Sequence, residues 1–276
     1  MPGINQERKG SGALDRYAGV IEKHVHSLKW MREELLEMDS LAGPVMGISS
    51  WDDAVVIGFG GKKLVASVDG PYAKRLVMKS ALIHAATDVA VKGGRPLFAL
   101  DTLNGSEADI REMIGSLKKQ SLAMGIPLLG GNTLADAGAE PRCSLTVVGE
   151  LLLEEPIRDC TAKKGDVVAL MGEPIWGAQD ERIEKARKLF SAWFAILGEG
   201  IKIDAAKDVT KGGLVCALYE IAEKSRVSFE LEGDIAFSMT RNLDNFLVCA
   251  PEESLRRMEG ICAKAGCPVV RVGSIL

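Results

Sequence analysis

The chain has 276 residues, of which 47% are hydrophobic and 26% are charged, which is ordinary for a globular enzyme of one large or two medium domains. The formal net charge of −4 argues against nucleic acid as a partner, because neutralising phosphates requires a basic surface. No run approaches the roughly 20 apolar positions of a membrane span. The six cysteines form no Cys-x-x-Cys pair, so we expect a cytoplasmic protein with reduced thiols.

Helices and strands alternate in the first half of the chain. The polar, glycine-rich segment 1–12 is expected to be flexible, and a single apolar stripe predicts one long helix at roughly 13–38. Ala54–Ile57 and Leu64–Val68 flank a glycine-containing turn, which is the pattern of a β-hairpin. The other elements expected here are a helix at about 74–92, a strand at 96–100, a helix at 106–124, a strand at 127–129 and a strand at 143–153.

The alternation of predicted helices and strands is interrupted around residues 154–156 and then resumes. This predicts two α/β domains, 1–155 and 156–276. Strands and helices are interleaved in both, without the strict rhythm of a doubly wound sheet. The elements expected in the second domain are a strand at 167–171, a helix near 180–197, a glycine-rich turn and helix at 208–224, a strand at 245–250, a helix at 252–265 and a strand at 269–275.

The segment Lys207–Gly213 carries the strongest chemical signal. It places an acidic residue, a hydroxyl and two glycines at the start of an amphipathic helix, with Asp208 or Thr210 available as the N-cap. The free amide groups of a helix N-terminus attract anions. An aspartate at the same place repels a bare phosphate but can hold a metal that bridges to one, so the segment suggests a magnesium–nucleotide site.

Several common catalytic motifs are absent. The sequence contains no GxxxxGK[ST], GxGxxG, HExxH or GxSxG, and its three histidines leave few candidates for a histidine-based triad. His24 and His26 are two positions apart on the first predicted helix, so they face different directions and do not chelate one ion.

Acidic and amide side chains recur at the ends of the predicted strands and helices. Taken singly, each is more simply a turn residue, a solvated charge or a helix-surface contact. If the acids converge, each pair of carboxylates about 4 Å apart costs on the order of 4 kcal/mol at an effective dielectric constant near 20, and such a cluster needs bound cations or shared protons. Spacing alone does not decide between these readings. The residues are Asp52, Asp53, Asp69, Asp88, Asn132 and Asp208, with His84 four positions before Asp88.

Five segments resemble, in order, the signatures of the aminoimidazole ribonucleotide synthetase-like superfamily. That superfamily includes the synthetase itself, formylglycinamidine ribonucleotide synthetase, thiamin-monophosphate kinase, selenophosphate synthetase and the hydrogenase-maturation dehydratase. The resemblance extends from about residue 50 to the end. The segments are Trp51–Val56, Ser67–Asp69, Ala85–Leu97, Gly130–Thr133 and Asp208–Leu214.

The resemblance implies an α/β (α+β), PurM-like two-domain architecture, in which a mixed sheet of the N-terminal domain pairs with its twin in a homodimer. It also implies ATP and Mg²⁺ bound in a cleft near the dimer interface, and phosphoryl transfer to a small-molecule acceptor. By motif, the implied metal or nucleotide ligands are Asp52, Asp53, Asp69 and Asp88, joined by Asp208 at the metal, by Thr210 and Gly212 near the phosphates, and by Asn132 where relatives vary.

The departures from the family pattern narrow the choice of reaction. Asn132 is neutral and is expected to weaken metal binding, and Lys9 matches the phosphate-binding lysine of some relatives poorly. The first cysteine is Cys143, which argues against selenophosphate synthesis, and the chain ends without the cysteine used in hydrogenase maturation. The second domain is short between Gly172 and Asp208.

Three functions therefore remain open. The first is a kinase or an amide-activating synthetase. The second is a nucleotide-binding regulatory or assembly protein without catalysis, and the third is a scaffolding dimer.

Overall fold

The computed structural model of the protein describes residues 14–232, 235 and 238–276, which build two α/β halves on separate sheets. Two 3₁₀ turns lie at Asp15–Tyr17 and His26–Leu28. The first half contains α1 (Ala18–His24), α2 (Lys29–Leu35), α3 (Met38–Ala42), β1 (Val55–Phe59), β2 (Lys62–Ala73), α4 (Lys74–Val77), α5 (Ala81–Val91), β3 (Gly94–Gly105), α6 (Glu107–Met124), β4 (Leu128–Ala135) and β5 (Arg142–Leu151). The second half contains β6 (Val167–Met171), α7 (Gln179–Gly198), β7 (Ala205–Asp208), α8 (Gly213–Ser225), β8 (Phe229–Leu231), β9 (Phe246–Ala250), α9 (Glu252–Ala265) and β10 (Val269–Ile275).

The first sheet is mixed, as expected, with strand order β1-β2-β5-β3-β4. All its pairings are antiparallel except β3 with β4. The second sheet has the order β7-β9-β6-β10-β8 and is antiparallel throughout. Strands β7 and β8 were not expected from the sequence, since neither short segment has a clear alternation of apolar and polar residues.

Helix α5 lies between the two halves. Every residue of α5 except Asp88 is buried, because the first sheet packs on one side of it and α7 and β7 pack on the other. Trp193 of α7 donates from Nε1 to the carbonyl oxygen of Ala90 at 2.6 Å. A single apolar core therefore runs from Val65 in the first sheet to Phe246 in the second.

The outer face of the first sheet exposes an unusual amount of apolar surface. The register places Val55 opposite Ala66 and Ile57 opposite Leu64, so these side chains share a face, which alternates with the buried face that carries Val65. None of the described helices covers it. The large apolar side chains exposed on β1 to β4 are Val55, Ile57, Phe59, Val68, Leu97, Leu100, Leu129 and Leu134.

The prediction of a single long helix at 13–38 is wrong. The chain forms α1, a 3₁₀ turn and α2 in its place, because only the first part of the apolar stripe finds a surface on which to pack. Ile21 is buried against α8, and His26 Nε2 lies 3.1 Å from Tyr219 Oη, whereas α2 has no buried residue. The flexible segment predicted at 1–12 falls outside the described residues.

The helix expected at 74–92 is interrupted between α4 and α5. Gln120 supplies the hydrogen bonds that the break removes: its Nε2 donates to Val77 O at 2.9 Å, and its Oε1 accepts from Leu82 N at 3.0 Å. Among the described helices, none combines the length and the apolar character that crossing a bilayer requires.

Candidate functional site

Four of the acidic residues singled out in the sequence come together between the two halves. Asp53 precedes β1, Asp69 lies near the end of β2, Asp88 is on α5, and Asp208 ends β7. Ser67 Oγ donates to Asp88 Oδ2 at 2.7 Å, and Thr87 Oγ1 donates to Asp208 Oδ2 at 2.8 Å. These four residues are called the acidic cluster below.

Electrostatic interactions link the four carboxylates. Burial first, and then the negative charges of Asp208, Asp69 and Asp53, raise the pKa of Asp88 well above its usual range. Burial and the charge of Asp53 likewise raise the pKa of Asp208 to about 6. The cluster therefore holds more negative charge than its surroundings neutralise.

Two buried lysines lie on the Asp53 side of the acidic cluster. Lys207 forms an ion pair with Asp53 Oδ1. Lys92, which is fully buried, has its Nζ 3.1 Å from Asp53 Oδ2 and donates to the carbonyl oxygen of Ala206 at 3.0 Å. Burial lowers the pKa of Lys92, but the neighbouring carboxylates raise it further, so this lysine stays charged.

Asp52 has different neighbours from Asp53. Its Oδ2 accepts from Arg158 Nε at 3.0 Å, and its Oδ1 accepts from the Asp159 backbone N–H at 3.0 Å and lies 3.3 Å from Lys92 Nζ. Burial raises its pKa, but Lys92 and the other partners hold it well below the usual range. Because both oxygens are engaged with the chain, the geometry favours a role in joining the halves; metal binding by Asp52 stays a prediction.

His84 bridges the two halves through two carboxylates. Its Nε2 lies 3.1 Å from Asp69 Oδ2, and its Nδ1 pairs with Asp244 Oδ1, in the loop before β9. Burial lowers its pKa, but Asp244 and Asp69 raise it well above 6.5, so the ring is an imidazolium, and its charge helps to lower the pKa of Asp69 to about 2. His84 therefore pairs with these residues and not, as its spacing suggested, with Asp88.

The glycine-rich turn before α8 has a different cap from the one expected. Gly212 is the N-cap, with φ 79°, and neither Asp208 nor Thr210 caps the helix; Thr210 Oγ1 instead lies 3.4 Å from Asp208 Oδ1. Gly213 has φ 67°, and a Cβ there would lie 2.7 Å from Arg241 O. The turn thus requires glycine on both steric and conformational grounds.

Asn132 lies apart from the acidic cluster. It is exposed on β4 opposite the exposed Thr102, whereas Asp69 on β2 is opposite the buried Leu145. Asn132 is therefore on the outer face of the sheet, and within one protomer the structure does not bring it to the other predicted residues. Lys9 lies outside the described residues.

The donor set suits a hard cation, although the ligands are not yet arranged around one position. In the described part of the chain, no three His, Cys, Asp or Glu side chains stand ready to hold a metal. The carboxylate oxygens of the acidic cluster are nevertheless the ligands that Mg²⁺ prefers. Asp53 Oδ2 is buried and accepts no hydrogen bond from the described residues, since Lys92 Nζ approaches it outside hydrogen-bond geometry.

Sequence reasoning missed the parts that three residues play in this site, Lys92, Lys207 and Asp244, and it missed the bridging role of His84. Lys207 and Asp244 lie in segments whose pairing with residues more than 100 positions away no local pattern reveals. Lys92 gives one usable signal, which is a lysine at the end of the apolar run Val89–Val91. A charged residue in such a position is buried only when it is paired.

Two family profiles match the chain. The profile of the AIR synthase related protein, N-terminal domain, matches residues 51–151, and that of the C-terminal domain matches residues 179–276. An uncharacterized protein of Methanocaldococcus jannaschii is 37% identical over 257 residues, which cover 92% of this chain and 86% of that protein. A selenide, water dikinase of Caldanaerobacter subterraneus is 28% identical over 183 residues, which cover 60% of this chain and 52% of the dikinase.

A similar fold occurs in a solved structure. Thermotoga maritima PurL complexed with ATP has a TM-score of 0.69 at 15% sequence identity, over 95% of this chain and 50% of the PurL chain. At that identity the likeness shows the fold, and this chain spans half the length of the PurL chain. Since the two profiles together match residues 51–151 and 179–276, which is well over half of the chain, the protein belongs to the AIR synthase-related family.

Proposed function

We propose that the protein is an ATP- and Mg²⁺-dependent phosphotransferase or synthetase that phosphorylates a small-molecule acceptor, at a phosphate or at an amide or carbonyl oxygen. The observation that carries this proposal is the convergence of Asp53, Asp69, Asp88 and Asp208 from both halves of the chain. Two comparisons support it: PurL of this fold was solved with ATP, and one relative is named as a dikinase.

Charge imbalance is the physical reason for placing a cation at the acidic cluster. Beyond the lysines that pair with Asp53, the described contacts give the cluster one nearby cation, the His84 imidazolium, which Asp244 shares. Asp88 reduces the repulsion by retaining a proton, as its raised pKa indicates. Bound Mg²⁺ supplies the same relief and neutralises charge on the transferred phosphoryl group.

The chain's own residues would act around that phosphoryl group. Thr210 and the backbone of Gly212 lie beside Asp208 at the N-terminal end of α8, where amide groups favour an anion. Lys207 pairs with Asp53 in this structure. If Asp53 held a metal, Lys207 would no longer be paired with it and would be free to donate to phosphate oxygens. The reaction needs no covalent nucleophile, since alignment and charge neutralisation are sufficient.

The test is the affinity of the purified protein for ATP, measured by calorimetry with Mg²⁺ and then with EDTA. We expect binding with Mg²⁺, at least tenfold weaker binding in EDTA, and loss of the Mg²⁺-dependent part in Asp53→Asn. Asp136→Asn is the matched control, because Asp136 is an exposed turn residue far from the acidic cluster in the sheet order. Equal affinity with and without Mg²⁺ would contradict the proposal.

One alternative function keeps the nucleotide and omits the reaction. Asp53 already forms an ion pair with Lys207, and Asn132 is neutral. The second candidate function is therefore a nucleotide-binding regulatory or assembly component. ATP binding without ADP formation, across a panel of phosphate esters, amides and carboxylates, would favour it. A single acceptor that stimulates Mg²⁺-dependent ADP formation would eliminate it.

The proposed enzyme is a homodimer that pairs through the outer face of the first sheet. That face exposes large apolar side chains on β1 to β4, and exposed apolar patches on a protein surface mark interaction sites. Asn132 and Leu134 lie on it, so pairing would bring Asn132 near a second copy of the chain. Within one chain Asn132 does not reach the acidic cluster. In the dimer it would instead contribute to a site that both copies form.

Val68→Lys is expected to convert the dimer to a monomer. Val68 is 70% exposed on β2, and a lysine there places a charge in the interface. Leu122→Lys is the matched control, since Leu122 is 75% exposed on α6, which packs on the other side of the sheet. Light scattering coupled to size-exclusion chromatography measures the mass. A monomeric wild type, or a dimer unaffected by Val68→Lys, would contradict this assignment.

A further inference from the structure

A cavity of about 690 Å³ lies outside the acidic cluster, where the α1–α2 segment meets the residues before Asp52 and the C-terminal end of α8. Cavities of this size hold small molecules. Five cationic and three anionic side chains line it, and two of the cations, Arg158 and Lys224, also pair with Asp52 and Asp159, which do not line the cavity. The five cations are Lys29, Arg32, Arg158, Lys224 and Arg226.

Two guanidinium groups at this cavity keep donors available. Arg158 uses Nε to donate to Asp52 Oδ2, and within the described residues its two terminal amino groups make no hydrogen bond. The guanidinium of Arg226 likewise has no hydrogen-bond partner among the residues that the structure describes. Guanidinium groups with free terminal amino groups match the oxygens of phosphate in geometry and charge.

The backbone provides an independent observation. In the described chain, the non-glycine residues with positive φ are Trp51 (52°), Arg226 (58°) and Asp244 (55°). This conformation is unfavourable for residues with bulky side chains and is concentrated at ligand sites. Asp244 belongs to the His84 bridge beside the acidic cluster. Trp51 and Arg226 both line the cavity. The positive φ of Arg226 is that of the residue that ends α8, so the unusual backbone that points to a ligand here is that of Trp51.

We propose that this cavity binds a small molecule that carries a phosphate group, independently of the metal–nucleotide site. The terminal amino groups of Arg158 and the guanidinium of Arg226 are the donors for the phosphate, and Trp51, which lines the same cavity, is the residue that an attached planar group would contact. Lys224 donates to the carbonyl oxygen of Trp51 and lies 2.8 Å from Asp159 Oδ2.

The experiment is calorimetric titration of the full-length protein with inorganic phosphate, pyrophosphate and AMP in EDTA, so that no ligand binds through a metal. We expect saturable binding of at least one probe. Tighter binding of AMP than of the inorganic probes would assign the planar group to the Trp51 side, and the reverse would assign the site to the phosphate alone. Both results support a phosphate site.

Variants locate the binding. Arg226→Asn removes the guanidinium and retains a residue type that tolerates positive φ, and Lys29→Gln removes a second cation that lines the cavity. Each is expected to weaken binding at least tenfold with an unchanged Tm. Arg257→Gln, on the exposed side of α9, and Asp208→Asn are expected to leave it unchanged. No saturable binding at millimolar probe, or binding that survives both cavity variants, overturns the proposal, whether or not the protein uses ATP.

Discussion

Asp208→Asn is expected to raise the Tm at pH 7 and, in the same protein, to abolish Mg²⁺-dependent ATP binding. Asp208 is 1% exposed, and burial together with Asp53 raises its pKa from 3.8 to about 6. Asparagine has the same shape and still accepts the hydrogen bond from Thr87 Oγ1, but it has no charge to desolvate. A residue retained at a cost to stability is characteristic of a functional site.

The pH dependence of this effect has a defined sign. Because the pKa of Asp208 is higher in the folded state than in the unfolded state, its stabilising contribution is complete below pH 3.8 and is lost as the pH rises through about 6. At pH 7 the charged carboxylate therefore costs up to about 3 kcal/mol, at 1.36 kcal/mol per pKa unit. The Tm difference between Asp208→Asn and wild type should be largest at pH 7 and shrink towards pH 4.

Differential scanning calorimetry from pH 4 to pH 7.5 measures this difference, and calorimetric titration with ATP measures binding. Asp136→Asn serves as the exposed control and should change neither the Tm nor the affinity. A lower Tm for Asp208→Asn at pH 7 would show that the carboxylate stabilises the fold. Unchanged Mg²⁺-dependent ATP binding would remove Asp208 from the proposed metal site.

The sequence predicts an element well where its pattern is complete within the element. The helix expected at 106–124 is α6 (Glu107–Met124), because Ser106 caps it and Gly125 ends it in the left-handed conformation. The prediction of one long N-terminal helix is wrong because an apolar stripe needs a surface on which to pack, and α2 has no such surface. The break between α4 and α5 depends on Gln120, which is 38 residues beyond Leu82, and no local pattern contains that information.

The same limit applies to the site. Asp53, Asp69, Asp88 and Asp208 were found because each belongs to a recognisable segment, and their convergence was proposed because the segments resemble a family. The face on which Asn132 lies depends on the register of β4 with β3, and one residue of shift would reverse it. The pairing of His84 with Asp244 could not be predicted from the sequence either, because the two residues are 160 positions apart in the chain.

Lys92→Met is expected to destabilise the folded protein by about 3–5 kcal/mol, because it removes a charge partner that three buried carboxylates share. Lys92 is 0% exposed, and its Nζ lies 3.3 Å from Asp52 Oδ1, 3.1 Å from Asp53 Oδ2 and 4.0 Å from Asp159 Oδ2. Methionine fills a similar volume, so the loss reports the uncompensated charges and not a cavity. Urea denaturation monitored by circular dichroism measures the free energy of unfolding.

The control and the double variant separate charge from packing. Lys118→Met, on the exposed face of α6, should change the free energy of unfolding by less than about 0.5 kcal/mol. Asp53→Asn in the Lys92→Met background should recover part of the loss, because it removes one of the stranded carboxylates. A loss below 1 kcal/mol in Lys92→Met would mean that Lys207, Arg158 and Lys224 already neutralise these carboxylates. In that case Lys92 would be dispensable for joining the halves, and the carboxylate at Asp53 would be held mainly by Lys207, the residue that we propose a metal would displace.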